Sequence, residues 1–165
     1  MTTVLALYQP DRPHNFGGAL RLAACLGVAM DLIEPAGFPL HDRRIRESAL
    51  DYGGHALWRR HADFAAFLAC RRGEGRRLVL LSTRAPLSYH RARFRADDVL
   101  LLGRESAGVP EHVHEAVDLS VRVPMVAGLR SLNVVQAAAV VMGEVLRQTG
   151  ALDRLTALSA LGASP

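Results

Sequence analysis

The segment Leu78-Val79-Leu80-Leu81 is apolar at every position, and this feature constrains the fold more than any other in the chain. A strand with one face in water alternates apolar and polar residues, whereas a parallel strand covered on both faces is apolar throughout. Four other short runs are largely apolar, although less uniformly so, and longer helical patterns separate them. We therefore expect an α/β fold in which a parallel sheet carries helices on both faces.

The predicted strands and helices alternate along the whole chain. The strands are expected at 4–8, 28–33, 78–82, 99–102 and 119–123, and the helices near 15–26, 43–50, 61–71, 111–117 and 132–148. Gly27 and Gly150 follow two of these helices, as glycines that end a helix commonly do. With 165 residues, we expect a single domain over 1–165, with a core at about 4–148 and a tail at 151–165 that adds a short helix or frays.

Composition excludes some classes of protein and leaves others open. Half of the residues are hydrophobic, yet no apolar run approaches the ~20 residues of a membrane span. The N-terminus leads straight into a strand without a basic segment, so we expect no signal peptide, no membrane association and a cytoplasmic protein. The net charge is +4 and all 20 basic residues are Arg, which suits a polyanionic partner and equally an ordinary basic protein.

The cysteines and histidines give no sign of a metal site. Cys25 and Cys70 are far apart and have no ligand spacing with the seven histidines, none of which form an HxxxH pair. We expect two buried, reduced thiols and no bound metal.

The most informative residues follow three of the strands, where a parallel α/β sheet binds its ligands. The first loop reads QPDRPHNFGGALR. Asn15 is expected to cap the following helix, and Arg21 lies one or two turns along it, where a phosphate or an oxyanion could bind. A plain capped helix with a surface arginine is the alternative interpretation.

The other two loops follow the strands at 99–102 and 119–123. In LLGRESAGVP, Gly103 and Gly108 flank Glu105, and Pro110 is expected at the first position of a helix. In VPMVAGLRSLN, Ser131 and Asn133 stand where a helix begins, so that capping is the simplest interpretation. The chain has neither GxGxxG after its first strand nor GxxxxGK[ST], which excludes the two commonest nucleotide-binding fingerprints.

Together the three loops resemble one family. NxGxxxR, LGxExxGVP and VPM…SLN, in this order, are similar to the three motifs of the SPOUT-class (SpoU-type) RNA 2′-O-methyltransferases. The segments LYQPDRPHNFGGALRLAACLG, LIEPAGF, RRIRESALDYG and GEVLRQ resemble the minimal tRNA enzymes of that class, which modify the wobble cytidine or uridine, nucleotide 34. The resemblance spans roughly residues 4–148.

The resemblance implies a SPOUT-type fold with a C-terminal deep trefoil knot, a homodimer whose active site is completed across the interface, and S-adenosylmethionine as the cofactor. The reaction would be methyl transfer to a ribose 2′-hydroxyl of tRNA. By matching position, the implied cofactor contacts are Leu81, Gly103, Val123, Met125, Ser131 and Leu132. The implied catalytic set is Arg21, Asn15, Glu105 and Asn133.

A guanidinium keeps its proton at neutral pH and is a poor base, so we expect Arg21 to bind the adjacent phosphate and the 2′-oxygen and thereby acidify the hydroxyl. Asn15 and Glu105 are expected to fix the guanidinium of Arg21. The arginines expected to contact RNA phosphates are Arg12, Arg43, Arg46 and Arg91.

The chain departs from the family pattern at three positions. Arg104 stands where the second motif often has Pro, and Gly143 and Leu146 stand where the wobble enzymes often have Tyr and Trp. Three alternatives remain: a 2′-O-methyltransferase for rRNA or another tRNA position, a non-catalytic RNA-binding protein of the same fold, and a small-molecule-binding α/β protein.

Overall fold

The computed structural model describes residues 2–162, which contain a seven-stranded, all-parallel sheet with the strand order β3-β2-β1-β6-β4-β7-β5. The strands are β1 (Val4–Tyr8), β2 (Ala29–Ile33), β3 (Trp58–His61), β4 (Arg77–Leu81), β5 (Leu87–Ser88), β6 (Asp98–Leu102) and β7 (Leu119–Arg122). The α-helices are α1 (Pro13–Leu26), α2 (Arg43–Ala49), α3 (Phe64–Gly73), α4 (Glu111–Ala116), α5 (Val134–Gln148) and α6 (Ala151–Gly162), and two 3₁₀ segments span Leu50–Gly54 and Tyr89–Arg91.

Both faces of the sheet are covered, which confirms the predicted α/β class. Side chains of a strand alternate between the two faces, and β1 shows the consequence. Leu5 and Leu7 belong to the apolar cluster that includes α1 and α5, whereas Val4 and Ala6 belong to the cluster that includes α3 and α4. Strand β1 therefore contributes to two cores, which explains why its sequence is apolar at every position.

The predicted strands match the five inner strands of the sheet to within one residue, but the two edge strands were missed. The segment of β3, Trp-Arg-Arg-His, lies at one edge of the sheet, and its first three residues are exposed, so it lacks an apolar run. The segment of β5 has only two residues, at the opposite edge. The helix expected from residue 61 begins instead at Phe64, because the carboxylate of Asp63 accepts a hydrogen bond from the backbone of Ala66.

Two predictions about helix starts were wrong. Helix α1 begins at Pro13, so Asn15 lies inside the first turn rather than at the cap, which is Arg12. Proline fits there because the first N–H of a helix has no partner in the helix. Pro110 precedes helix α4 instead of occupying its first position. Gly27, in the left-handed region with φ 62°, ends α1 as predicted.

The expectation of two buried thiols was also wrong. Both cysteines are free, as expected, but Cys25 is exposed and Cys70 is partly exposed. On α1 the buried residues Ala19 and Ala23 are four positions apart and share one face, while Cys25 is rotated by about 200° from Ala23 and points outward. The tail forms helix α6 up to Gly162, and residues 163–165 lie outside the described residues.

A buried ion pair joins strand β2 to helix α3. Asp31 is fully buried and Arg71 is 3% exposed, and the guanidinium binds the carboxylate through two parallel hydrogen bonds. Arg71 also donates to Glu74. Burial raises the pKa of Glu74, but hydrogen bonds from Arg71 and Arg59 lower it to about 2. The pair therefore fixes α3 on its face of the sheet.

We predict that Arg71→Ala lowers the free energy of unfolding by about 3–5 kcal/mol, because the carboxylate of Asp31 stays buried without its guanidinium partner, beside the imidazole of His61 at 3.2 Å. Urea denaturation measures this loss. Arg72→Ala is the matched control, since this exposed neighbour makes one hydrogen bond, to the carbonyl of Ala116, and should cost about 1 kcal/mol or less. Equal losses in the two variants would contradict the assigned role of the buried pair.

Candidate active site

The three loops singled out in the sequence meet at one cavity of about 560 Å³. It lies at the carboxyl ends of strands β4, β6 and β7, and β1 borders β6 directly, with Leu7 opposite Leu102. All six residues predicted to contact a cofactor line this cavity, namely Leu81, Gly103, Val123, Met125, Ser131 and Leu132. Asn15, Glu105 and Asn133, three of the four predicted catalytic residues, line it as well.

The second loop is a tight turn that brings backbone into the cavity wall. Arg104 and Gly108 exchange two backbone hydrogen bonds of 2.9 Å each, and Gly108 has a φ of 66°. A Cβ atom on Gly103 would lie 2.7 Å from the carbonyl carbon of Gly108. Only glycine fits at residue 103, because the turn folds back directly against it.

A chain of side-chain hydrogen bonds joins the three loops. The amide Nδ2 of Asn15 donates to Oε1 of Glu105 at 2.8 Å, and Nδ2 of Asn133 donates to Oδ1 of Asn15 at 3.0 Å. Oδ1 of Asn133 accepts from the backbone N–H of Val135 at 2.9 Å and so caps helix α5, as predicted. Asn15 is only 4% exposed, and both ends of its amide are bonded. The network therefore holds the first turn of α1, the second loop and the start of α5 in one arrangement.

Asp11 strengthens the same junction by a reciprocal contact. Its backbone N–H donates to Oε2 of Glu105 at 2.8 Å, while its own carboxylate accepts from the backbone N–H of Ser106 at 3.0 Å. The guanidinium of Arg104 also donates to this carboxylate, at 3.1 Å. Desolvation raises the pKa of Asp11, but the hydrogen bonds from Ser106 and the charge of Arg104 outweigh it and keep this pKa below its ordinary value.

The contact explains how this chain accommodates Arg104, one of its departures from the family pattern. The loop 103–110 keeps its turn with Arg at this position, and the side chain adds an ion pair to Asp11 across the two loops. Sequence reasoning missed Asp11, although a carboxylate placed four residues before Asn15 was a signal for a partner in the neighbouring loop.

Arg21 lies outside the cavity of its own protomer, and within residues 2–162 neither Asn15 nor Glu105 binds its guanidinium, contrary to expectation. Asn15 and Arg21 are six positions apart on α1, which separates them by about 9 Å along the helix axis and about 240° around it. Asn15 therefore faces the cavity, whereas Arg21 is exposed and its Cζ lies over the ring of Tyr52, 5.6 Å from the centroid. Both oxygens of Glu105 are used by Asn15 and Asp11 instead.

Other arginines are distributed unevenly around the site. Arg12 and Arg130 line the cavity, and both are exposed. Of the arginines predicted to bind RNA, only Arg12 is among the lining residues; Arg43 and Arg46 lie on helix α2 and Arg91 in a 3₁₀ segment, and all three are exposed. Arg130 was not among the predicted site residues. It directly precedes Ser131 and Leu132, two predicted cofactor contacts, and this position could have indicated that it lines the cavity.

The lining suits a large ligand that has both apolar and polar parts. Leu81, Val123, Met125 and Leu132 supply apolar surface for a flat ring, while the backbone of the tight turn supplies polar groups next to Gly103. Drug-sized ligands occupy pockets of ~300–1,000 Å³ with this mixture of apolar walls and a few placed polar groups. The residues present therefore fit a nucleoside-containing cofactor such as S-adenosylmethionine.

The comparisons with known proteins agree with this geometry. The SpoU rRNA Methylase family model matches residues 2–143. The tRNA (cytidine(34)-2'-O)-methyltransferase of Beijerinckia indica subsp. indica is 55% identical over 152 residues, which are 92% of this chain and 95% of that protein. A solved structure reported for the 2-OH methylation of C/U34 on tRNA has a TM-score of 0.85 and 41% identity, and the match covers 89% of this chain and 95% of that one.

A second solved structure bears on the cavity. The SpoU methyltransferase AviRb from Streptomyces viridochromogenes, in complex with the cofactor AdoMet, has a TM-score of 0.78 and 25% identity over 90% of this chain and 57% of that one. The chain belongs to the SpoU rRNA Methylase family, which confirms the class of enzyme that the three motifs indicated. No helix within residues 2–162 is long and apolar enough to cross a membrane.

We predict that Gly103→Ala lowers the free energy of unfolding by about 1–3 kcal/mol, because its Cβ meets backbone atoms that cannot move independently. Gly73→Ala is the control, since a Cβ at this residue of α3 meets nothing within 4 Å and should be neutral or slightly stabilising. Urea denaturation of both variants measures the difference. A Gly103→Ala protein as stable as Gly73→Ala would contradict the close approach of Gly108.

Proposed function

We propose that this chain transfers a methyl group from S-adenosylmethionine to the ribose 2′-hydroxyl of tRNA, at the wobble cytidine or uridine, nucleotide 34. The observation that carries the proposal is the single cavity in which all six expected cofactor positions meet the network of Asn15, Glu105 and Asn133. The names of the relatives at up to 55% identity support nucleotide 34 as the target.

The cofactor site is assigned to the carboxyl edge of the sheet. Leu132 and Met125 would line the adenine, and the backbone around Leu81, Gly103 and Val123 would hold the polar atoms. When bound, S-adenosylmethionine supplies a methyl group on a sulfonium sulfur, which is already a good leaving group. The cofactor complexes of structural relatives support this assignment.

The protein's part is orientation and charge stabilisation. Asn15, Glu105 and Asn133 fix the loops that surround the bound groups, and their mutual hydrogen bonds leave little freedom to rearrange. Arg21 binds the phosphate next to the target ribose and the 2′-oxygen, lowers the pKa of the hydroxyl, and lets phosphate or water take the proton. Arg12, at the cavity wall, is placed to bind a second phosphate.

The position of Arg21 supports a homodimer. Because this side chain faces away from the cavity of its own protomer, we propose that it serves the cavity of its partner, in line with the family's shared active sites. We further propose a single domain with its core at 4–148, the deep trefoil knot implied by the family, and a cytoplasmic location that matches the proposed tRNA substrate.

The direct test is methyl transfer from tritiated S-adenosylmethionine to tRNA that lacks the modification, followed by mass-spectrometric mapping of 2′-O-methylated nucleosides. We expect one methyl group, on nucleotide 34. Arg21→Ala should lower turnover by ~10²–10³, while calorimetry shows unchanged cofactor affinity. A methyl group at another position or on rRNA would reassign the target, and no transfer to any RNA would overturn the proposed activity.

Mixed dimers test whether Arg21 acts across the interface. One protomer carries Arg21→Ala, and the other carries Leu132→Asp, which places a charge in the adenine site at a residue that is 41% exposed. If Arg21 serves the partner's cavity, the mixed dimer has one complete site and should show up to about half of the wild-type activity. Both homodimers should be inactive, and an inactive mixed dimer would place Arg21 in the site of its own protomer.

A further inference from the structure

The guanidinium of Arg21 lies against an aromatic ring. Its Cζ lies over the ring of Tyr52, 5.6 Å from the centroid, within the usual range of a cation–π contact. Within residues 2–162, no carboxylate and no hydrogen-bond acceptor binds the Arg21 side chain. The aromatic ring is therefore the group that sets the orientation of the guanidinium.

Neither core packing nor hydrogen bonding accounts for the orientation of the Tyr52 side chain. It belongs to the 3₁₀ segment Leu50–Gly54, which follows helix α2 and packs against α1. The side chain is 43% exposed, so the ring is not part of a core. Its hydroxyl makes no hydrogen bond within the part of the chain that the structure describes. The contact with Arg21 is thus the one specific interaction that this side chain makes there.

An aromatic ring holds an arginine in a different way from a carboxylate. A carboxylate would bind the N–H edge of the guanidinium and neutralise its charge, and that same edge must meet the RNA. A ring covers one face and leaves the five N–H donors at the edge free. It also leaves the positive charge in place. Because the ring already restricts the rotamers of the arginine, less side-chain entropy is lost when RNA binds.

We propose that Tyr52 is a positioning residue for the methyl transfer: its ring holds the guanidinium of Arg21 so that the free N–H edge presents itself to the phosphate and the 2′-oxygen. The inference rests on the proposed function, in particular on the role of Arg21. It adds a residue outside the cavity and outside the three motifs to the groups on which turnover depends.

The test compares Tyr52→Leu, Tyr52→Phe and Leu50→Ala. Tyr52→Leu keeps an apolar side chain but removes the ring, and kcat should fall about two- to fivefold, the range of an exposed cation–π contact. Tyr52→Phe keeps the ring, and its kcat should stay within twofold of the wild type. Leu50→Ala is the control, because this residue of the same segment is also exposed, and its kcat should not change.

Two further measurements separate positioning from a general structural effect. Calorimetric affinity for S-adenosylmethionine should be the same in all variants, because Tyr52 does not line the cavity. The Nε–H signal of Arg21, identified by its absence in Arg21→Ala, should shift in Tyr52→Leu but not in Leu50→Ala, since the ring current is lost. This signal can be read even in a protein that methylates no RNA, so failure of the contact and failure of the proposed function are distinguishable.

The possible contrary results are specific. Tyr52→Leu with wild-type kcat, or Tyr52→Phe as impaired as Tyr52→Leu, would overturn the role of the ring. A parallel loss of cofactor affinity would make Tyr52 a structural residue. An unmoved Arg21 signal would show that the contact is absent in solution. If the wild type transfers no methyl group, the proposed function fails and the positioning role fails with it, whatever the Arg21 signal shows.

Discussion

The carboxylate of Glu105 is the interaction on which the arrangement of the site depends. It accepts hydrogen bonds from the side chain of Asn15 and from the backbone of Asp11, and so joins segments that are 90 or more residues apart in the chain. Asn15 is buried, and an unpaired buried amide costs about 1–3 kcal/mol. These hydrogen bonds therefore fix the first turn of α1 in one position relative to the loop that carries Glu105.

The parallel sheet makes this contact possible because the loops that form it leave neighbouring strands at the same edge. Strands β1 and β6 are hydrogen-bonded neighbours, with Leu7 opposite Leu102, so the loops that leave them begin side by side. Strands β4 and β7 are adjacent in the same way and bring the third loop to the same edge. Residues distant in the sequence converge because parallel neighbours all end at one edge.

Much of this fold could be predicted from the sequence, and the failures have physical causes. The inner strands are largely apolar and were found, whereas the edge strand β3 is exposed and has no such pattern. Asn133 was correctly identified as a cap because capping is local. Asn15 was misassigned as a cap, since its partners Glu105 and Asn133 are distant in sequence and no local pattern reveals them.

The six cofactor positions and Arg21 were predicted by the same resemblance, yet the structure separates them. Motif order identifies the residues, but helix periodicity decides which of them share a surface, and six positions along α1 turn Arg21 away from Asn15. The cavity and the exposed Arg21 suit different ligands. The cavity wall carries groups that are hydrogen-bonded to one another, such as Asn15, Glu105 and Asn133, which suits a cofactor held in one orientation. The exposed guanidinium, held by the Tyr52 ring and still charged, suits a polyanion that must bind and leave in every cycle.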